Sequence, residues 1–253
     1  MTLMIVASNT FRGLLRDRAL LGLTAFAAVV IGVSGAFGMI SAGEGVRLII
    51  DISLPAILLS GVLISILVGT NLIHSEIERG TIYALISRPV GRWEFVVGKY
   101  AGIMALLGVS VAAMSLFLLG YLSLFGGGAT IPLLQAIVMI FFEVMVVAAI
   151  ALLLSTLASP MFGAIVTFTL FLAGHGTDQL KLLSDEVGNK FLSLLFRVAY
   201  YVVPSLENFN IRAEAAYCMA VPWGKVGIAG LWAVAYSTVA VLLAVAAFEK
   251  RSL

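Results

Sequence analysis

PLLQAIVMIFFEVMVVAAIALLL, residues 132–154, decides the fold. It carries one ionisable side chain, Glu143, in 23 residues. A helix needs about 20 mostly apolar residues to cross ~30 Å of hydrocarbon, and this stretch has them. Lipid offers no water to unpaired backbone groups, so such a segment must be helical. Runs of the same kind recur at about 19–40, 53–73, 101–125, 158–175 and 226–248, the fifth being short. The expected fold is all-α: one polytopic membrane domain over residues 1–253, with six transmembrane helices.

Composition agrees. Of 253 residues, 62% are hydrophobic and 11% charged, and the mean hydropathy is +1.13. Soluble domains carry about 25% charged residues. A net charge of +2 is too small to indicate a nucleic-acid partner, and the single cysteine, Cys218, excludes an internal disulfide. Arg12, Arg16 and Arg18 precede the apolar run Ala19–Ile40. That run exceeds the 7–15 residues of a signal-peptide core and is read as a retained first span.

Lys and Arg set the orientation. Arg12, Arg16, Arg18, Arg79, Arg88, Arg92, Lys99, Lys250 and Arg251 fall on one side; Arg47 and five basic residues of a long loop fall on the other. Long loops weigh little in this rule, so both termini are expected to be cytoplasmic. The external segment, residues 176–225, shows Leu180, Leu183, Val187, Phe191, Leu194, Val198 and Tyr201 at steps of three and four. This spacing predicts an interfacial or re-entrant helix around Leu180–Val203, ending before Pro204. Gly126-Gly127-Gly128 marks a turn between the third and fourth spans.

The chain has no phosphate-binding loop. The nearest match, Val97-Gly98-Lys99-Tyr100, has Trp93 where the first glycine belongs and Tyr100 where Ser or Thr belongs. H-E-x-x-H and G-x-S-x-G are also missing from the sequence, so no hydrolytic centre is expected and nucleotide hydrolysis must come from another polypeptide. His74 and His175 fall at opposite ends of the predicted spans and cannot share a metal. Nine methionines suit apolar gap-filling. Although Met139 and Glu143 share a helix face, no Cys or His is expected near them. The chain is therefore expected to bind no metal or cofactor. Gly98-x-x-x-Gly102 permits close helix approach, a spacing that a glycine-rich chain also produces by chance.

The cytoplasmic segment 74–100 contains Glu76-Ile77-Glu78-Arg79-Gly80-Thr81, then Arg88-Pro89-Val90, Arg92 and Gly98-Lys99. Glu76 to Ser87 can form about three turns of helix, closed by Pro89, with a new helix starting near Arg92. On spacing alone this is either an ordinary charged loop or a short rigid helix held between two spans. The pattern resembles the cytoplasmic signature of ABC-2 type transporter permeases. More closely it is similar to the multicopper-enzyme-maturation branch, which includes the nitrous-oxide-reductase maturation permease. Arg12-Gly13-Leu14-Leu15-Arg16-Asp17-Arg18 resembles the family's amphipathic connecting helix. Leu154-Ser155-Thr156-Leu157-Ala158-Ser159 is similar to its turn between spans four and five, and Pro204-Ser205-Leu206-Glu207-Asn208-Phe209 to its external P-x-L-x-x-F piece.

The resemblance covers essentially the whole chain. It implies a permease in the prokaryotic inner membrane that pairs with a second copy or paralogue and with separate ABC ATPase subunits carrying ATP and Mg. Glu76, Glu78, Gly80, Thr81, Arg88, Pro89, Arg92 and Lys99 would then form the coupling segment lying on the ATPase. Within the spans, Glu143 is either a group on a substrate or proton pathway or a carboxyl that ties helices together. Rival readings are a membrane anchor for a periplasmic partner and an intramembrane enzyme built around Glu143.

Overall fold

The structure, a computed structural model, describes residues 2–40, 44–73, 91–177 and 203–250. Among them the regular structure is helical throughout: α1 (Thr2–Leu14), α2 (Arg18–Ile40), α3 (Gly45–Leu72), α4 (Arg92–Leu124), α5 (Ile131–Leu157), α6 (Pro160–His175), a 3-10 turn (Leu206–Phe209), α7 (Arg212–Ala216) and α8 (Trp223–Lys250). By length and composition α2, α3, α4, α5 and α8 can each cross a membrane. The remaining apolar run, α6, has 16 residues. It reaches only ~24 Å, short of the ~30 Å hydrocarbon layer.

Several helices outrun their apolar cores. Where the sequence places a span from residue 53, α3 starts at Gly45. Its extra turns are supported by Arg47, which lies 3.1 Å from Glu44 and 3.7 Å from Asp51. Such pairs three and four apart favour helix beyond the lipid-facing run. The helix expected near Arg92 is continuous with span three as the 33-residue α4. In α5 the Thr130 hydroxyl accepts the Leu133 N–H at 3.4 Å, with a proline in the first turn. The helix then continues through Leu157 and breaks at Ala158 and Ser159, both extended before Pro160. The glycine turn is present, with Gly126 at φ +74.

The most apolar helix, α5, is the centre of the bundle and touches α3, α4, α6 and α8. Met139, Val144, Val146, Ala148, Ala149, Ala151 and Leu152 along it are fully buried. Tyr100 of α4 donates to the Met145 carbonyl at 3.1 Å, and the Ser155 hydroxyl accepts the Ile73 N–H at 3.2 Å. Phe95 near the start of α4 stacks on Phe248 near the end of α8 at 5.9 Å. One end of the bundle therefore gathers the close of α3, the start of α4, the α5–α6 break and the close of α8. At the other end Val46 approaches Gly127, and Arg47 meets Tyr217.

Helix α1 lies on the first turns of α4, at the end that holds Ile73 and Phe248. The Gly98-x-x-x-Gly102 spacing has a use there. A Cβ on Gly98 would lie 3.0 Å from Val6, and one on Gly102 would lie 2.7 Å from the Thr10 Cβ and 2.9 Å from the Ala7 carbonyl. Only glycine lets the two backbones approach this closely. Gly102→Leu should therefore displace α1 at a cost of about 1–3 kcal/mol, as overpacking does. Limited proteolysis should cut the first 14 residues faster while α2–α8 stay intact. Unchanged cleavage would mean that α1 does not depend on this contact.

Candidate functional site

Gln135, Met139 and Glu143 follow one another at steps of four along α5, so they share a face. Their exposures are 1%, 0% and 1%. Two polar side chains buried this deeply in an apolar bundle require partners. Gln135 donates from Nε2 to the Val221 carbonyl at 3.1 Å. The Glu143 Oε1 lies 3.0 Å from Nε2 of His175, the last residue of α6.

The meeting of Glu143 and His175 follows from helix length. α5 and α6 run antiparallel, so both extend from the shared break to the same side of it. Glu143 is 14 residues back from Leu157, or ~21 Å, and His175 is 15 residues on from Pro160, or ~22 Å. The two residues are therefore level. The expectation that no histidine lies near Glu143 is overturned, because α6 stops part-way and sets its terminal His against the carboxylate.

α6 ends at His175, whereas α5 runs on past that level for ~18 Å toward Ile131. That space is filled by a strap, residues 203–222, folded back into the bundle. Leu206, Phe209, Ile211 and Ala215 of the strap are buried, although the whole segment was expected to lie outside the spans. Phe209 packs on Trp232 of α8 at 5.8 Å between ring centres. Gly174 allows close passage, since a Cβ there would lie 2.7 Å from the Pro204 carbonyl and 2.8 Å from Leu206. Thr177 and Ser205 share a hydrogen bond of 3.0 Å. Tyr217 is held under the Arg47 guanidinium, 3.7 Å from ring centre to Cζ, and its hydroxyl accepts from the same arginine.

Polar contacts connect the buried carboxylate to the strap. Arg212, the first residue of α7, brings a guanidinium nitrogen to 3.5 Å from His175 Nε2. Its Nε donates to Asn210 Oδ1 at 2.9 Å, and Asn210 Nδ2 donates to Glu207 Oε1 at 2.8 Å. The row Glu143, His175, Arg212, Asn210, Glu207 thus runs from a 1%-exposed carboxylate to half-buried strap residues. The sequence singled out Glu143 but not His175 or Arg212. The available signal was the shortness of the fifth apolar run, which forces its end to the depth of Glu143.

The coupling candidates are distributed differently. Glu76, Glu78, Gly80, Thr81, Arg88 and Pro89 lie outside the described residues, as does most of the helix expected over Leu180–Val203. Arg92 is the first residue of α4. Lys99 is 8% exposed, with its ammonium 5.3 Å from the centre of the Phe95 ring. The described residues on either side of 74–90 are fixed: Ile73 is bonded to Ser155, and Phe95 is stacked on Phe248. Among the described residues no group of three His, Cys, Asp or Glu side chains has the arrangement of a metal site.

A family model described as ABC-2 family transporter protein matches residues 4–253. The chain belongs to the ABC-2 transporter family. As a member it is a multi-pass membrane component of an ABC transporter, and the family implies an ABC ATPase partner. No curated protein matches the sequence. In this ABC-2 protein the Arg12–Arg18 piece, expected as part of a connecting helix, straddles the turn between α1 and α2. The P-x-L-x-x-F piece contributes two buried strap side chains, Leu206 and Phe209.

Proposed function

We propose that this chain is the permease subunit that moves a substrate across the prokaryotic inner membrane, using ATP hydrolysed by a separate ATPase subunit. It carries no catalytic centre or cofactor of its own; ATP and Mg belong to the partner, and a second permease copy completes the transport unit. Within the family, we assign it to the multicopper-enzyme-maturation branch, a reading supported by the resemblance of the Glu76–Lys99 pattern. α6 together with the strap serves as the sixth crossing, and both termini are cytoplasmic.

One observation carries this reading. α1, the two fixed points bounding 74–90, and the close of α8 all sit at one end of the bundle. A partner docked there can reach the connecting helix, the loop and the tail together, and pushing on the loop moves α3 and α4. Purification of the tagged chain from its native membrane should bring down an ABC ATPase whose turnover rises in lipid with the permease present. Loss of that subunit at every detergent and salt condition would favour the membrane-anchor reading.

The topology has its own test. Reporter fusions after Arg251 and near Ser184 should report opposite sides of the membrane, as the basic residues at 12–18, 79–99 and 250–251 imply. Both fusions on one side would overturn the orientation.

A further inference from the structure

We propose that the outer half of the seam between α5 and α8 is a seat for one acyl chain of a bilayer phospholipid. The two helices run parallel: Gln135 is bonded to Val221 just before α8, and further in Phe142 lies against Gly230. Contact is tight at that second point, where a Cβ on Gly230 would lie 2.8 Å from the Phe142 ring. Three residues nearer the start of α8, a Cβ on Gly227 would meet nothing within 4 Å. The helices are thus pressed together at one glycine and left unfilled at the next.

The result is a groove of about 360 Å³ that no charged side chain lines. Val138 and Phe142 face it from α5, a turn apart, and Trp223, Gly227, Leu231 and Val234 follow it at steps of three and four along α8. From Trp223 to Val234 the groove runs ~16 Å. An apolar cavity of ~150 Å³ takes up one benzene and stays dry, so by that measure this groove has room for about fourteen carbons. That length and volume suit a single extended hydrocarbon chain. Water finds no partner on these walls, and an empty groove would forfeit dispersion contacts along its whole lining. Because α5 and α8 are long and apolar enough to cross the membrane, the hydrocarbon layer supplies chains at this depth.

A helix of a second copy suits the shape less well. Trp223, Leu231 and Val234 are exposed beside the groove, so a helix ~10–12 Å across would rest on them and leave the floor at Gly227 empty. A flexible chain follows the floor. Trp223, at the first position of α8, suits the headgroup level. Lys225 beside it already has Glu214 at 3.7 Å, so the groove recognises the chain rather than the charge of the headgroup.

The site rests on α5 and α8 crossing the bilayer, not on the transport reading, and is tested without the ATPase. The probe is phosphatidylcholine with a photoreactive diazirine midway along one acyl chain, in vesicles containing the protein. After illumination, peptide mapping should place the strongest label on 226–234 and 138–142. Gly227→Leu puts its side chain into open space and favours helix over glycine, so it should melt no lower than the parent and lose at least tenfold of that label. Val138→Phe, which narrows the groove from α5, should lose label likewise. Gly120→Leu, near the outer end of α4 and also in open space, should leave the label unchanged. Label spread evenly over the exposed faces of α2, α4 and α8, or undiminished in both groove variants, would overturn the site. So would efficient disulfide dimers of Gly227→Cys in a Cys218→Ser background, which would give the groove to a second copy of the chain.

Discussion

Glu143→Leu is expected to destabilise the bundle by about 3 kcal/mol or more, whereas Glu143→Gln keeps the fold. The carboxylate is 1% exposed and 3.0 Å from His175, which in turn meets Arg212. Leucine matches the apolar surroundings but leaves an imidazole and a guanidinium facing a surface with no negative charge. Removing one member of a buried charged pair costs about 3–5 kcal/mol, because the survivor stays desolvated and alone. Glutamine keeps the volume and one acceptor oxygen toward Nε2 while losing the titratable charge. In detergent micelles the Leu variant should lose roughly 10 °C of thermal stability, at ~2–4 °C per kcal/mol for a chain of this size, and the Gln variant only a few. Equal melting of the two would show that the carboxylate holds nothing. If Gln melts normally yet lowers substrate-stimulated ATP turnover about tenfold, Glu143 belongs to the transport path. Unchanged turnover would make it a tie between α5 and α6 alone.

The long helices were legible because lipid imposes one rule on every span, and residues 132–154 obey it almost without exception. Helix ends were less legible, since charged turns such as Glu44–Asp51 extend α3 by pairing rather than by hydropathy. The strap was the largest departure. Residues 204–216 read as an external loop because they mix Glu207, Asn208, Asn210, Arg212 and Glu214 with Leu206, Phe209 and Ile211. Only the short α6 makes room for them, a fact that no local window contains. Glu143 was visible as a lone carboxylate, but its partners come from residues 32 and 69 positions further along, joined by chain reversal. Gly98 and Gly102 posed the opposite difficulty: a spacing common enough to arise by chance proves to be the seat of α1.

The coupling loop should give the largest functional effect. Glu76 and Glu78 lie near the start of the predicted short helix, where acidic groups suit the helix dipole, and Gly80 would let a second surface approach. The loop is held by the Ile73–Ser155 bond on one side and the Phe95–Phe248 stack on the other. A displacement there must therefore move α3 and α4, and through them the central α5. The direct measurement is co-purification of the ATPase with Glu78→Lys and Gly80→Trp permeases, alongside ATP turnover in membranes. The expected result is at least a tenfold loss of retained ATPase or of coupled turnover, with normal folding of the spans, since a loss of about 1.4 kcal/mol at the contact suffices. Full complex and full coupled turnover in both variants would contradict the assignment of 74–99 as the site through which the ATPase drives this protein.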